Sequence, residues 1–373
     1  MKKKIILITS FGEDFLKSRI NFLQYLKKLN FDTVSVVPDD RFKEKITDLY
    51  TDNIYFYKYK RSFLAVFYVV NVALLFKKII KKENPDIIFT YKFFPNLVGI
   101  FIAKKLNVNK IVGTVAGLGF LDKYKKSPIV YIIFILYIFI LDKANYIVVQ
   151  NSDDRDILRK YIDINKIILT NGSGVDYKEV CKQTVAISKN DYNLCENNLY
   201  FLFYSRIVKE KGIYELIEAF SNISRKKSKI GLIIAGWFDD RKIEADIQKK
   251  INVNEKIFFM GYQENIEELI SVSDCVILPS YYAEGIPRSL TEALAMSKPI
   301  ITTNHRGCKE TCINGVNGYL VDIKNVKNLE EKMMDYIVLS EKKKKEMSMA
   351  SYDLFKNKFE QKIVFKTIIN NVL

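Results

Sequence analysis

The chain has 373 residues, 49% of them hydrophobic and 13% aromatic, which excludes a disordered protein and leaves room for two domains with independent cores. Lysine and arginine outnumber the carboxylates by 59 to 43, a net charge of +16, so an anionic partner is expected: nucleic acid, anionic lipid or a phosphorylated substrate. Five cysteines, an odd number without CxxC spacing, argue against a disulfide framework or a structural zinc and fit a reducing cytoplasm.

Met1 to Lys4 followed by the apolar run Ile5 to Ile8 mimics a signal peptide. That run stops too soon, at Thr9-Ser10 and the acidic Glu13-Asp14, and reads as a first strand over 5–9. A helix over 15–29, a strand over 33–37, a short strand over 54–57, a helix over 64–80, a strand over 86–90, a helix over 95–106 and a fifth strand over 110–114 follow. Such alternation predicts parallel βαβ units in one doubly wound domain, with ligands at the carboxyl ends of the strands. Pro128 to Leu141 is uncharged and apolar but only fourteen residues long, short for a membrane span and suited to a buried or interfacial helix. Leu64 to Phe76 is similar, with Lys77, Lys78, Lys81 and Lys82 after it. Ordinary core helices and helices seated on an anionic membrane surface both fit these segments; the expectation is peripheral attachment to the inner face of the cell membrane, without a transmembrane span.

Asp154-Arg155-Asp156 mimics a metal-binding Asp-x-Asp, but it follows Asn151-Ser152 at a helix start, where acidic residues belong in any case. No metal is assigned. Asn171 to Asp176 punctuates the series, and the polar stretch to Asn198 has no clear period. The alternation restarts with apolar runs over 200–204, 213–220, 230–235, 257–260, 266–270, 275–278 and 299–302. A second doubly wound domain is therefore expected, with boundaries at 1–180 and 181–351 and a C-terminal helix over 352–373 that returns to the first domain.

The first strand of this second domain runs into Ser205-Arg206-Ile207-Val208-Lys209-Glu210-Lys211-Gly212, with Gly212 opening a helix. Arg206 and Lys211 flank the loop at the carboxyl end of the strand, where two cations can hold a diphosphate, arginine as a fork and lysine as a point charge. The stretch Pro279 to Pro299 reads as strand end, loop and helix, with Pro287 suited to the first helical position. The N–H groups of Arg288 and Ser289 then face out of a positive helix end, which favours a phosphate. Glu284 and Glu292 bracket that end; each alone reads equally as a solvated or dipole-stabilised charge, but together they suit a ligand carrying sugar hydroxyls as well as phosphate.

Two glutamates with seven residues between them after Pro279-Ser280, within Glu284-Gly-Ile-Pro-Arg-Ser-Leu-x-Glu292-Ala, resemble the signature of retaining family 4 glycosyltransferases of the GT-B type, in the branch that builds bacterial capsule, O-antigen and related glycans on lipid carriers. The resemblance covers nearly the whole chain and is most specific from Tyr200 to Val321. It implies an α/β GT-B fold of two facing Rossmann-like domains, the second holding a nucleotide-sugar, by family habit a UDP-sugar, and the first the acceptor, a polyprenyl-diphosphate-linked saccharide. The pattern Ser-Arg-x-x-x-x-Lys-Gly looks like the family's diphosphate clamp and gives Arg206 and Lys211 that role. Glu292 would hold the ribose hydroxyls, Glu284 the transferred hexose or N-acetylhexosamine, and backbone N–H groups from Gly285 and Ile286 to Arg288 and Ser289 the phosphates. Pro287 departs from the glycine of many relatives and removes a donor, for which Arg288 would compensate. Tyr262 after Gly261 resembles the segment against the base, although an exposed turn tyrosine reads equally well.

Gly12 stands where the family has a glycine-rich loop against the donor diphosphate. Tyr91-Lys92 and Val115 to Phe120, with Gly117 and Gly119, resemble acceptor-side segments. The branch's acceptor-side histidine has no counterpart, since the only histidine is His305, and Lys92 is the expected substitute. No cofactor or metal is implied beyond the donor itself. A GT-B nucleotide-sugar 2-epimerase is the rival enzyme. A basic nucleic-acid-binding protein is the rival outside enzymology, although no aromatic-rich basic strand or recognition helix supports it.

Overall fold

The computed structural model describes residues 2–49, 53–58, 65–119, 127–181 and 187–373, with 65–68 as backbone alone. Leu64, expected to start the second helix, Phe120 of the acceptor-side loop and linker residues 182–186 lie outside the described residues. The chain divides into two units, 1–173 with 364–373, and 174–363. The first boundary thus falls at Ser173/Gly174, within the Asn171 to Asp176 punctuation, rather than at 180.

In unit 1 the described strands are β1 (Lys4–Ile8), β2 (Asp32–Pro38), β3 (Ile54–Tyr57), β4 (Ile87–Tyr91), β5 (Lys110–Val115), β6 (Tyr146–Val149) and β7 (Ile167–Leu169). They form one sheet in the order β3-β2-β1-β4-β5-β6-β7, every pairing parallel. In unit 2, β8 (Leu199–Tyr204), β9 (Ile230–Ala235), β10 (Ile257–Gly261), β11 (Cys275–Leu278), β12 (Ile300–Thr303) and β13 (Gly318–Val321) form a parallel sheet in the order β10-β9-β8-β11-β12-β13. Strands covered on both faces carry unbroken apolar runs; β9 and β11 are buried at every position. Both sheets are doubly wound Rossmann-like sheets, and in each the strand order reverses beside the first strand, between β1 and β4 and between β8 and β11. Those two reversals are where such folds leave a ligand crevice.

Helices on the sheet faces include α1 (Ile20–Lys28), α2 (Ala65–Glu83), α3 (Phe101–Lys105), α4 (Pro128–Leu141), α5 (Ile213–Ser224), α6 (Arg288–Ala295) and α7 (Gln361–Val372). The helices expected over 15–29 and 95–106 each contain a π-helical turn, Phe15–Arg19 and Asn96–Ile100. The C-terminal helix is not continuous from 352. A helix over Glu341–Leu354 passes through a π turn at Phe355–Phe359 and breaks at Glu360, whose extended backbone bridges to Val175, before α7 begins. From Val364 the chain belongs to unit 1. Val364, Phe365, Ile368 and Val372 are buried there; Phe365 lies 5.0 Å from Phe22 and 5.5 Å from Tyr25 of α1, and Lys110 Nζ donates to the carbonyl of Val372 at 2.6 Å. Among the described residues no helix is long and apolar enough to cross a membrane. Asn151 caps the helix Ser152–Leu158 by accepting from the Asp154 N–H at 2.8 Å, so Asp154 serves the helix start.

Candidate active site

In unit 2 the loops after β8 and β11 meet at the strand reversal. The turn Lys209–Lys211 ends at Gly212, which adopts φ 75° and heads α5. The carbonyl of Glu210 accepts from the N–H groups of Tyr281 and Tyr282 at 2.9 and 3.1 Å, clasping one loop to the other. Lys211 Nζ donates to Glu284 Oε1 at 2.6 Å, and Ser280 Oγ donates to the same oxygen at 3.1 Å. Lys211 and Glu284 side chains are only 12% and 15% exposed, so this is a pair at the floor of the loop cluster rather than a surface contact. Its neighbour Gly307, at φ 78°, lies where an added Cβ would meet the carbonyl oxygen of Gly285 at 2.3 Å and that of Glu284 at 2.7 Å. The turn that carries His305 and Gly307 therefore supports the Glu284 loop from beneath. Beside it, burial and then the charge of Glu284 push the Cys308 thiol up to about 12, leaving it protonated and unsuited as a nucleophile.

α6 starts one residue later than the sequence suggested. Pro287 is its N-cap, with extended backbone, and Arg288 is the first helical residue. The carbonyl of Pro287 accepts from the N–H groups of Leu290 and Thr291, so the Arg288 and Ser289 N–H groups remain at the positive end of the helix. Arg288 Nε donates to Glu292 Oε1 at 2.6 Å along its own helix. Glu292 is 7% exposed, with Tyr204 Oη 3.5 Å from its other oxygen. That phenol also donates to the Ser289 carbonyl; burial and then the Glu292 charge hold its pKa well above the ordinary value, so it stays a donor.

Arg206 sits at the end of β8, its Nη1 2.9 Å from Asp239 Oδ2, with both side chains about two-fifths exposed (40% and 43%). An exposed pair of this kind is worth less than about 1 kcal/mol, so Arg206 can exchange Asp239 for another partner at small cost. Tyr262 is 46% exposed and meets Trp237 edge to face at 5.6 Å. Together they make an aromatic wall past the ends of β9 and β10. Arg206, Lys211, Glu284, Gly285, Ile286, Arg288, Ser289 and Glu292 thus lie on loops and a helix end that converge on one strand reversal.

The unit 1 candidates gather at the other reversal. Ser10 Oγ donates to the carbonyl of Tyr91 at 2.9 Å, joining the ends of β1 and β4. Gly12 is buried, and its N–H donates to Asp40 Oδ2 at 2.8 Å. Lys92 Nζ is 3.7 Å from Asp14 Oδ2 and 4.7 Å from the Phe11 ring centroid. Asp14 also meets Arg19 at 3.4 Å, and the Arg19 guanidinium lies 4.0 Å over the Tyr91 ring. Gly117 and Gly119 follow β5, with Gly119 buried.

Residues 4–151 match the family model for glycosyl transferase 4-like proteins and residues 185–353 that for glycosyl transferases group 1. This chain is a glycosyltransferase. Over 338 residues the enzyme is 26% identical to the N,N'-diacetylbacillosaminyl-diphospho-undecaprenol alpha-1,3-N-acetylgalactosaminyltransferase of Campylobacter jejuni, covering 88% of each chain. It is 23% identical over 330 residues to a UDP-Gal:alpha-D-GlcNAc-diphosphoundecaprenol alpha-1,3-galactosyltransferase of Escherichia coli, covering 82% of each. Among solved structures, the HepE protein of Anabaena in complex with UDP shares its fold with a TM-score of 0.79 at 15% identity, over 99% of this chain and 98% of that one. The glycosyltransferase is therefore of the GT-B fold class, and the family assignment sets aside the epimerase.

Trp237, Asp239, Tyr204, Asp14 and Arg19 escaped the sequence reading. Trp237 had a signal, the chain's only tryptophan placed directly after the apolar run that ends at Ala235-Gly236; Asp239 and Tyr204 meet Arg206 and Glu292 across long sequence separations and had none. Lys92 carries a further mark. Its backbone adopts φ 71°, ψ 178°, a region nearly reserved for glycine that costs a lysine about 1–3 kcal/mol. It is held there by its N–H to the Thr114 carbonyl at 2.9 Å and its carbonyl to the Asn96 N–H at 3.0 Å. Lys92→Gly is expected to stabilise the glycosyltransferase by about 1 kcal/mol after glycine's own entropy loss while slowing transfer. Melting and turnover together check this; a stabilised variant with undiminished turnover removes Lys92 from the site.

Proposed function

We propose that this glycosyltransferase moves a hexose or N-acetylhexosamine from a UDP-sugar to a polyprenyl-diphosphate-linked saccharide, with retention at the anomeric carbon, at the inner face of the cell membrane during surface-polysaccharide assembly. The observation that carries the donor half is the Lys211–Glu284 pair, 2.6 Å long, set beside the head of α6 at the β8/β11 reversal. A cation for a diphosphate and a carboxylate for sugar hydroxyls are thereby fixed within one bond of each other. Arg206, Lys211 and the N–H groups from Gly285 to Ser289 meet the diphosphate, Glu284 the sugar, Glu292 the ribose, and the Trp237–Tyr262 wall the base. The acceptor half rests on the names of the relatives and on the Asp14–Arg19–Lys92 cluster with Gly117 and Gly119 in unit 1.

In the reaction, the bond between the anomeric carbon and the diphosphate breaks as the acceptor hydroxyl attacks from the same face, and the acceptor proton passes to the departing phosphate oxygen. Negative charge grows on that phosphate, where the two cations and the helix end are already oriented. They supply the positive charge, so the reading needs no metal or other cofactor.

A thermal-shift panel of UDP, GDP, ADP, NAD and a short oligonucleotide tests the donor. A ligand at about 100 times its Kd stabilises the folded chain by about 2.7 kcal/mol. UDP is expected to raise the melting temperature of the parent and far less that of Glu292→Ala. Stabilisation by GDP alone changes the donor class; stabilisation by the oligonucleotide alone, abolished by salt, overturns the donor site.

A further inference from the structure

We propose that unit 1 carries a binding site for anionic membrane lipid, in which the outer face of α4 enters the interfacial layer and a groove beside α2 and α3 takes one lipid chain, with lysines at its rim holding the phosphate. This goes beyond the transferase reading, and its test involves no sugar nucleotide.

α4 packs inward through Phe134, Tyr137, Ile138 and Leu141, one stripe at helical spacing. A helix anchored by one stripe ordinarily turns polar residues outward, and a helix apolar all round is ordinarily buried. Here Ile129, Tyr131, Ile132, Leu136 and Phe139 are each 55% to 69% exposed. A contiguous exposed apolar surface of this kind marks an interaction site. The groove adjoins it: about 760 Å³, lined by Leu74, Val98, Phe101 and by Ile140 of α4 itself. That volume is in the range of sites that bury small apolar ligands.

Charge selects the occupant. Lys77, Lys81 and Lys105 line the same groove. The one carboxylate on α2, Glu83, is bound to Lys4 at 3.1 Å and to Tyr55 at 2.6 Å, and neither α4 nor the run 93–105 contains any. A second copy of the chain would set lysines against lysines. An anionic lipid brings an apolar chain for the groove and a phosphate for its rim. Fourteen residues of α4 suit a helix lying in the interface plane rather than one crossing the membrane.

The test is flotation of the full chain with phosphatidylcholine vesicles, with and without phosphatidylglycerol, and photolabelling by phosphatidylglycerol that carries a diazirine on its acyl chain. The chain is expected to float with the anionic vesicles. Ile132→Glu with Leu136→Glu, at exposed positions, is expected to abolish flotation. Lys77→Glu with Lys81→Glu and Lys105→Glu is expected to weaken it on the order of 100-fold or more, since each lysine near such a surface contributes about one factor of five. The diazirine label is expected on peptides spanning 69–81 and 97–105. Unchanged circular-dichroism melts keep a folding defect from mimicking the result. Failure to bind anionic vesicles, equal binding by the variants, label confined to other peptides, or self-association through α4 without vesicles would overturn the proposal. A chain that ignores UDP yet floats would fail the donor reading and leave this one standing.

Discussion

Glu284→Gln is expected to lower kcat/KM on the order of 100-fold or more while leaving the fold intact. The amide matches the carboxylate in size and still accepts from Ser280 Oγ, now at 3.1 Å, but it removes the charge that Lys211 meets at 2.6 Å. Loss of one oriented electrostatic contact to a reacting centre costs about 10²–10³ in rate. Breaking a fully buried ion pair by removing one partner costs about 3–5 kcal/mol. These side chains keep 12% and 15% exposure, so a stability loss of about 2 kcal/mol is expected. Lys211→Met added to Glu284→Gln removes the stranded cation and is expected to restore most of that stability without restoring turnover. A double-mutant cycle read on both stability and rate separates the two effects. Parent-like turnover by Glu284→Gln would take the carboxylate out of the mechanism.

Gly212→Ala is expected to be the most damaging single change to the site's framework. An added Cβ would sit 2.1 Å from the Pro279 carbonyl oxygen and 2.8 Å from its carbon, both rigid backbone. The residue also keeps φ 75°, where a side chain costs about 1–2 kcal/mol before any clash. The turn cannot retreat without drawing Glu210 from the N–H groups of Tyr281 and Tyr282 and Lys211 from Glu284. A loss of about 3 kcal/mol or more is expected, measured by denaturant titration, together with a drop in turnover exceeding what the unfolded fraction explains. An unchanged midpoint would show that the two loops are not clasped as described.

Both sheets were legible because a parallel strand covered on both faces has to be a short unbroken apolar run. Ile230 to Ala235 and Cys275 to Leu278 were read with the bounds they have. β6, β7 and β13, of four, three and four residues, were missed. The π turn at Phe15–Arg19 and the break at Glu360 were equally silent, since one extra residue per turn or one extended residue leaves no compositional trace.

At the site, Glu284, Arg206, Lys211 and Glu292 were found by their place at strand and helix ends, and the fold brings them to one reversal. What sequence could not give was the pairing. Arg206 goes to Asp239, thirty-three positions away, and Glu292 lies beside Tyr204, eighty-eight positions away. Arg288 was expected to stand in for a missing backbone donor, with no sign in the sequence that its Nε would also meet Glu292 one turn along its own helix. Gly12 was read from its position alone, and only the folded chain reveals that Asp40 occupies its N–H.

The most direct measurement is to incubate the enzyme, in the presence of anionic vesicles, with a panel of UDP-sugars and an undecaprenyl-diphosphate-linked saccharide, and to follow UDP release and acceptor mass. One UDP-sugar should yield UDP together with an acceptor heavier by one sugar residue, joined in the anomeric configuration of the donor, and neither product should form with Glu284→Gln at comparable rate. Consumption of a UDP-sugar at the same rate without acceptor, or an acceptor extended with inverted configuration, would contradict the account.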